Sequence, residues 1–158
     1  MLLRRTIIAG ILVVISTSQV LADSGLITKA SKYSVQETIE RFEAAIKSKA
    51  AAGWTIFTRI DHAAAARSAR LEMPARTVIV FGNPKAGTPP MTKGATLAID
   101  LPMKALVWQD DRNKVWLTYN SSEYGATLIY PRHGLAVPDD AAKTLEKFLA
   151  DVSDQSTQ

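Results

Sequence analysis

Two stretches near opposite ends of the chain repeat one spacing. Val35, Ile39, Phe42 and Ile46, and later Ala141, Leu145, Phe148 and Val152, are separated by four, three and four positions. That spacing puts four side chains on one face of a helix. A helix with a single apolar stripe must bury it against another apolar layer. The residues between the two stripes supply one, as short runs rich in β-branched and aromatic residues bounded by turn-forming clusters. Helices occur singly among these runs and two adjacent runs form a hairpin. The pattern therefore predicts the α+β class: a two-layer sandwich with a largely antiparallel or mixed sheet of about four to five strands and helices packed on one face.

A short strand is expected within residues 26–33. Ser34 followed by Glu37 is a capping-box pattern, so the first helix should run from Val35 to Ala51 and stop at Gly53. Residues 54–60 read as a strand with both faces at least partly covered. Asp61 is placed to cap an alanine-rich helix over residues 63–70, and Thr77–Phe81 is the next strand. The run 82–91, with its glycines and prolines, reads as a rigid loop. Residues 96–102 read as an extended or turn segment, because Pro102 disfavours helix at Leu101. A symmetric turn at Asp110–Asn113 would pair Trp108 with Val115 and Leu106 with Leu117 on the core face, leaving Val107 and Trp116 on the other. Residues 120–125 read as loop, 126–130 as a short last strand, and Pro138-Asp-Asp140 opens the final helix. The polar tail from Ser153 to Gln158 is expected to fray.

The N-terminus begins Met1-Leu-Leu-Arg4-Arg5, continues as an apolar run from Thr6 to Ile15, and reaches small residues at Val20 and Ala22. This is the pattern of a secretory signal peptide over residues 1–22, cleaved after Ala22, too short in its apolar part for a stable membrane anchor. Periplasmic or secreted localisation follows as an expectation. Cleavage would leave 158 − 22 = 136 residues, a single domain over 23–158 with its core in about 26–152. It would also lower the formal charge from +4 to +2 by removing Arg4 and Arg5. No block of like charge remains, so nucleic acid is not an expected partner. The chain has no cysteine, which excludes disulfides, thiol nucleophiles, cysteine-ligated metals and a lipid-modified cysteine.

Gly82-Asn-Pro-Lys-Ala-Gly87-Thr88 imitates the glycine spacing of a phosphate-cradling loop. It departs from that motif because Lys85 comes too early, and because Pro89-Pro90 argue against a helix starting there. Gly82, Asn83 and Lys85 remain candidates for contacting a small ligand. Asp61-His62 is a candidate acid–base pair, since a carboxylate can orient an imidazole, although Asp61 has a competing task as a helix cap. No metal set is assigned, because no spacing unites His62 with His133 and a carboxylate such as Asp100. No cofactor is expected. Trp116, on the sheet face away from the helices, is an interface candidate.

Thr58-Arg-Ile-Asp61-His62-Ala-Ala-Ala, Arg76-Thr-Val-Ile-Val-Phe-Gly82-Asn-Pro-Lys-Ala-Gly-Thr-Pro89 and Ala98-Ile-Asp100-Leu-Pro102-Met-Lys104, taken with Val107-Trp108-Gln-Asp110, resemble the domain of unknown function 302 family. The likeness extends over roughly residues 30–135. It implies a compact α+β domain, often exported, with no established activity and with association as a homodimer. Arg70 and Pro90 depart from the family pattern. On this reading Asp61-His62, the loop from Gly82 and Asp100-Leu-Pro102 are expected to converge at one end of the sheet. There they would form a site for a small ligand or protein partner. An enzyme using Asp61 and His62 and an assembly protein acting through Trp116 are the alternatives.

Overall fold

The computed structural model describes residues 25–158, so the expected signal peptide lies outside the described residues. Five strands form one sheet in the order β1-β5-β4-β3-β2, every neighbour antiparallel. They are β1 (Leu26–Ser31), β2 (Thr55–Asp61), β3 (Arg76–Gly82), β4 (Met103–Gln109) and β5 (Val115–Asn120). Strands β2 to β5 lie side by side in chain order, and β1 returns to the far edge beside β5. The longer helices are α1 (Val35–Lys47), α2 (His62–Ser68), α3 (Pro84–Lys93) and α5 (Asp139–Thr157), with a single turn α4 at Ser122–Tyr124.

The α+β two-layer architecture holds. Alternation along the strands puts Ile79, Phe81, Ala105, Val107, Leu117 and Tyr119 on one face, where they join Ile39, Phe42 and Ile46 of α1 and Leu149 and Val152 of α5 in one core. Each fully buried aliphatic or aromatic side chain there is worth about 1.5–3 kcal/mol over its exposed state. Phe42 meets Phe81 edge-on, with ring centroids 5.3 Å apart, and Trp54 stacks on Phe148 at 3.6 Å. The caps read from the sequence are present: Ser34 Oγ accepts from the Glu37 N–H and Asp61 Oδ1 from the Ala64 N–H.

The hairpin forms, but its register differs by one residue. Trp108 faces Trp116, Val107 faces Leu117, and Gln109 faces Val115. The cause is the turn. Asp110 Oδ1 accepts from the N–H groups of Arg112 and Lys114, and Asn113 takes the left-handed conformation at φ 62°. This is a three-residue loop closed by a left-handed residue, not a symmetric four-residue one. A register shift of one residue exchanges faces, so Val107 joins Val115 and Leu117 in the core while Trp108 joins Trp116 on the uncovered side.

Strand β2 is an edge strand, and most of it is exposed, contrary to the two-sided cover expected for it. A bulge between Ile56 and Thr58 leaves Phe57 unpaired and half exposed. Helix α1 ends at Lys47, and Gly53 instead closes a separate 3-10 turn over Ala50–Ala52, with φ at 95°.

The expected loop after Gly82 is helix α3, with Pro84 in its first turn and Pro89 and Pro90 inside it. Those two prolines remove only the N–H groups that would reach the carbonyls of Lys85 and Ala86. Both residues are exposed, so solvent satisfies the carbonyls. Residues 95–99 form a 3-10 helix rather than an extended segment.

Residues 126–130 are not a strand. Gly125–Ile129 is π-helical, closed by a Tyr130 N–H to Gly125 C=O bond of 3.0 Å, and Pro131–His133 is a 3-10 turn. Strand β5 already has β1 and β4 on its two sides, so the segment following it cannot extend the sheet by pairing with β5. Nor does the C-terminus fray within α5. Ser153, Ser156 and Thr157 are buried, with hydroxyls returned to the carbonyls of Ala150, Val152 and Ser153. Tyr119 Oη also lies 3.2 Å from Ser153 Oγ.

Candidate functional site

Where β4 starts and β5 ends, the sheet and α5 diverge, and residues 121–132 cross the opening. A cavity of about 240 Å³ lies between them. Phe81, Met103 and Tyr119 line it from the sheet, Leu145 and Leu149 from α5, and Ile129 and Tyr130 from the crossing segment. Gly125, at the start of the π-helical turn, forms part of the same wall. Ser121 holds the start of that segment by accepting from the Tyr124 N–H at 3.0 Å.

The polar side of the cavity centres on Asp100, which ends the 3-10 turn Ala95–Ile99. Its carboxylate receives the Arg132 guanidinium through both oxygens, Nε at 2.9 Å from Oδ2 and Nη2 bonded to Oδ1. His133 Nε2 lies 2.6 Å from Oδ2, and His133 Nδ1 lies 2.8 Å from Thr96 Oγ1. An ionised carboxylate only accepts, so Nε2 presents a proton to Oδ2, while Thr96 Oγ1 is the hydrogen-bond partner of Nδ1. The His133 hydrogen bond, then Arg132, holds the Asp100 carboxyl below the usual carboxylate range, against the effect of its burial. Lys104 Nζ donates to the Asp100 and Pro102 carbonyls, both at 2.9 Å. Burial pushes the Tyr130 phenol up.

The residues singled out in the sequence divide between two places. Gly82 and Asp100 share this corner: a Cβ on Gly82 would lie 3.4 Å from the Pro102 ring. Asp61 and His62 do not reach it. Asp61 pairs with Thr77, while Gly82 pairs with Thr55 six residues earlier on β2. The two positions are thus about 20 Å apart along the strand. Asp61 is engaged as the α2 cap, and His62 is exposed, with no hydrogen bond between them among the described residues.

Asn83 is a structural clasp. Its Nδ2 donates to the Ala52 carbonyl, and its Oδ1 accepts from the N–H groups of Lys85 and Ala86. The Lys85 side chain is exposed on the first turn of α3. Trp116 stacks on Trp108 with centroids 6.0 Å apart, donates Nε1–H to Asp110 Oδ2, and carries Lys114 Nζ 4.3 Å from its ring centroid.

Sequence reasoning missed Arg132 and His133 as partners of Asp100. Their only local signal is a basic pair between Pro131 and Gly134, and the pairing spans a separation of 33 residues. Thr96, His133 and Asp100 form a hydroxyl–imidazole–carboxylate chain, the arrangement that activates a nucleophile. Here Arg132 grips the same carboxylate, and neither Thr96 nor His133 lines the cavity. In this arrangement the chain ties the 95–100 turn to the 131–133 turn. No group of three or more His, Cys, Asp or Glu among the described residues could hold a metal ion. No helix among them is long and apolar enough to cross a membrane.

The family model described as Domain of unknown function DUF302 matches residues 27–152. The chain is 46% identical over 120 residues to the "Fluoride-specific ion channel FluC 1" of Brucella suis biovar 1 (strain 1330), a match covering 76% of this chain and 44% of that protein. The protein of the same name from Brucella abortus biovar 1 (strain 9-941) is also 46% identical over 120 residues, 76% of this chain and 42% of that one. The chain thus spans less than half the length of these curated relatives. Among solved structures, the uncharacterized conserved protein DUF302 from Bacillus stearothermophilus superposes with a TM-score of 0.67 at 18% identity. That superposition covers 84% of this chain and 98% of the other.

Proposed function

The chain belongs to the DUF302 family, and on that premise we propose that it is an exported binding module holding a small molecule in the cavity beside Asp100. The observation that carries this reading is the cavity itself: about 240 Å³, apolar within and polar on one side. A concave, mostly apolar volume with a few convergent polar groups is the usual form of a small-ligand site. The π-helical turn over Gly125–Ile129 in its wall adds support, since such departures from α-helix recur at functional sites. The channel activity in the names of the Brucella relatives does not carry over, because the match covers under half of those proteins.

Native mass spectrometry of protein purified from the periplasm of its own host tests the proposal. The expected result is a mature chain beginning at Asp23 with a retained small-molecule mass, absent from an Ile129→Trp variant that fills the cavity. A chain carrying no adduct under conditions that preserve non-covalent complexes would count against it.

A second reading, homodimer formation through the open sheet face, draws on the stacked Trp108 and Trp116 together with the half-exposed Phe57 and Ile60. An acid–base role for His62 and Asp61 has less support, because the Asp61 carboxylate is committed to capping α2.

A further inference from the structure

We infer that the occupant of the cavity is a compact monocarboxylic acid, an apolar body bearing one anionic group, and that Arg132 receives its carboxylate. This rests on the cavity reading and adds the chemistry of the ligand. The charged residues lining the cavity are Asp100, Lys104 and Arg132, two cations against one anion. Arg132 gives Nε and Nη2 to Asp100, and its Nη1 has no partner among the described residues. Its side chain is half exposed, so the residue is accessible to an incoming group. A guanidinium held on one edge by a carboxylate presents its remaining N–H groups in a fixed direction, which suits a second carboxylate.

Lys104 places its ammonium between two backbone carbonyls, which fix its position without neutralising its charge. The core end of the cavity offers apolar contact from Phe81, Leu145 and Leu149, with Ile129 on the crossing segment. An anion at Arg132 with its hydrocarbon part in that end satisfies both halves. The volume of about 240 Å³ lies below the ~300 Å³ at which sites for drug-sized ligands begin, so the body is of the size of a benzoate or a hexanoate.

The test titrates the mature chain with benzoate, hexanoate, benzyl alcohol and hexanol at neutral pH, following the methyl resonances of Met103 and Ile129. The expected result is saturable shifts with both acids, at dissociation constants at least tenfold below those of the matched alcohols. Arg132→Gln should bring acid and alcohol within about threefold, Arg132→Lys should keep part of the preference, and Arg67→Gln on α2 should leave it unchanged. Melting curves identify any variant that fails to fold, and in that case the comparison of acids with alcohols on the wild type decides. Alcohols binding as tightly as acids would overturn the carboxylate while leaving the cavity reading standing. An unchanged preference in folded Arg132→Gln would overturn the role of Arg132. No saturable shift with any probe overturns the inference, and the cavity reading falls with it only where native mass spectrometry also finds no retained molecule.

Discussion

His133 Nε2 lies 2.6 Å from Asp100 Oδ2, and this bond fastens the segment crossing the cavity to the turn that precedes β4. The His133 side chain is only 7% exposed, so removing it takes one of two partners from the Asp100 carboxylate, which keeps Arg132, and leaves the exposed Thr96 hydroxyl to solvent. His133→Ala should cost about 1.5–3 kcal/mol, the range for losing a hydrogen bond to a charged group. Urea unfolding gives the magnitude. Hydrogen exchange should show the loss concentrated in residues 121–134, and an even loss of protection across the sheet would contradict the fastening role.

Glu43 on α1 sets part of the acid limb of stability. Its carboxyl is held below the ordinary glutamate range by the hydrogen bond from Arg59 and, against the opposing effect of burial, by the Arg59 charge and by Lys47. A folded-state pKa below the unfolded one means that the stabilisation is complete above the unfolded value. It is lost as pH falls through the folded one. Glu43→Gln should therefore lower stability at neutral pH by about 1–2 kcal/mol, a figure reduced for the solvent-exposed side of Arg59. It should also flatten the decline between about pH 5 and pH 3. Unfolding midpoints across that range check both; a variant with the wild-type slope would sink the assignment. Asp100 shifts in the same direction and adds to the same limb.

Gly53→Ala meets two obstacles. The backbone there has φ at 95°, and an added Cβ would lie 2.8 Å from Asn83 Oδ1, which is already bonded to the N–H groups of Lys85 and Ala86. A loss of about 1–3 kcal/mol is expected, from left-handed strain and displacement of the clasp. Thermal denaturation measures it, and a melting temperature equal to the wild type would show that the clasp moves freely.

Dimer formation through the open face predicts a mass near twice that of the mature chain by light scattering at micromolar concentration. Trp116→Lys should return it to the monomer while leaving the fold intact by circular dichroism. A monomeric wild type removes this reading.

What could be read from the sequence was local. The stripes of α1 and α5, the caps at Ser34 and Asp61 and the existence of the β4–β5 hairpin depend on residues within a few positions of one another. The hairpin register depended on one residue, Asn113, taking a left-handed conformation, which composition alone does not dictate. The exposure of β2 follows from its place at the sheet edge, and residues 126–130 cannot pair with β5 because β1 already does, both properties of the whole topology. The site divided in the same way. Asp100 stands out within a motif, but its histidine does not: His62 beside Asp61 is adjacent in sequence, while His133 beside Asp100 is adjacent only in space.

The position of β1 bears on how the chain is made. Strands β2 to β5 can each pair with a neighbour as soon as it is synthesised, but Thr28 meets Thr118 across 90 residues. In a chain emerging from its N-terminus, the β1 segment can therefore dock only when nearly the whole sheet exists. Thr28, Lys29 and Ser31 make that segment a poor template for premature strand pairing. Its docking closes the sheet, so folding intermediates trapped early should be four-stranded, with the edge of β5 open.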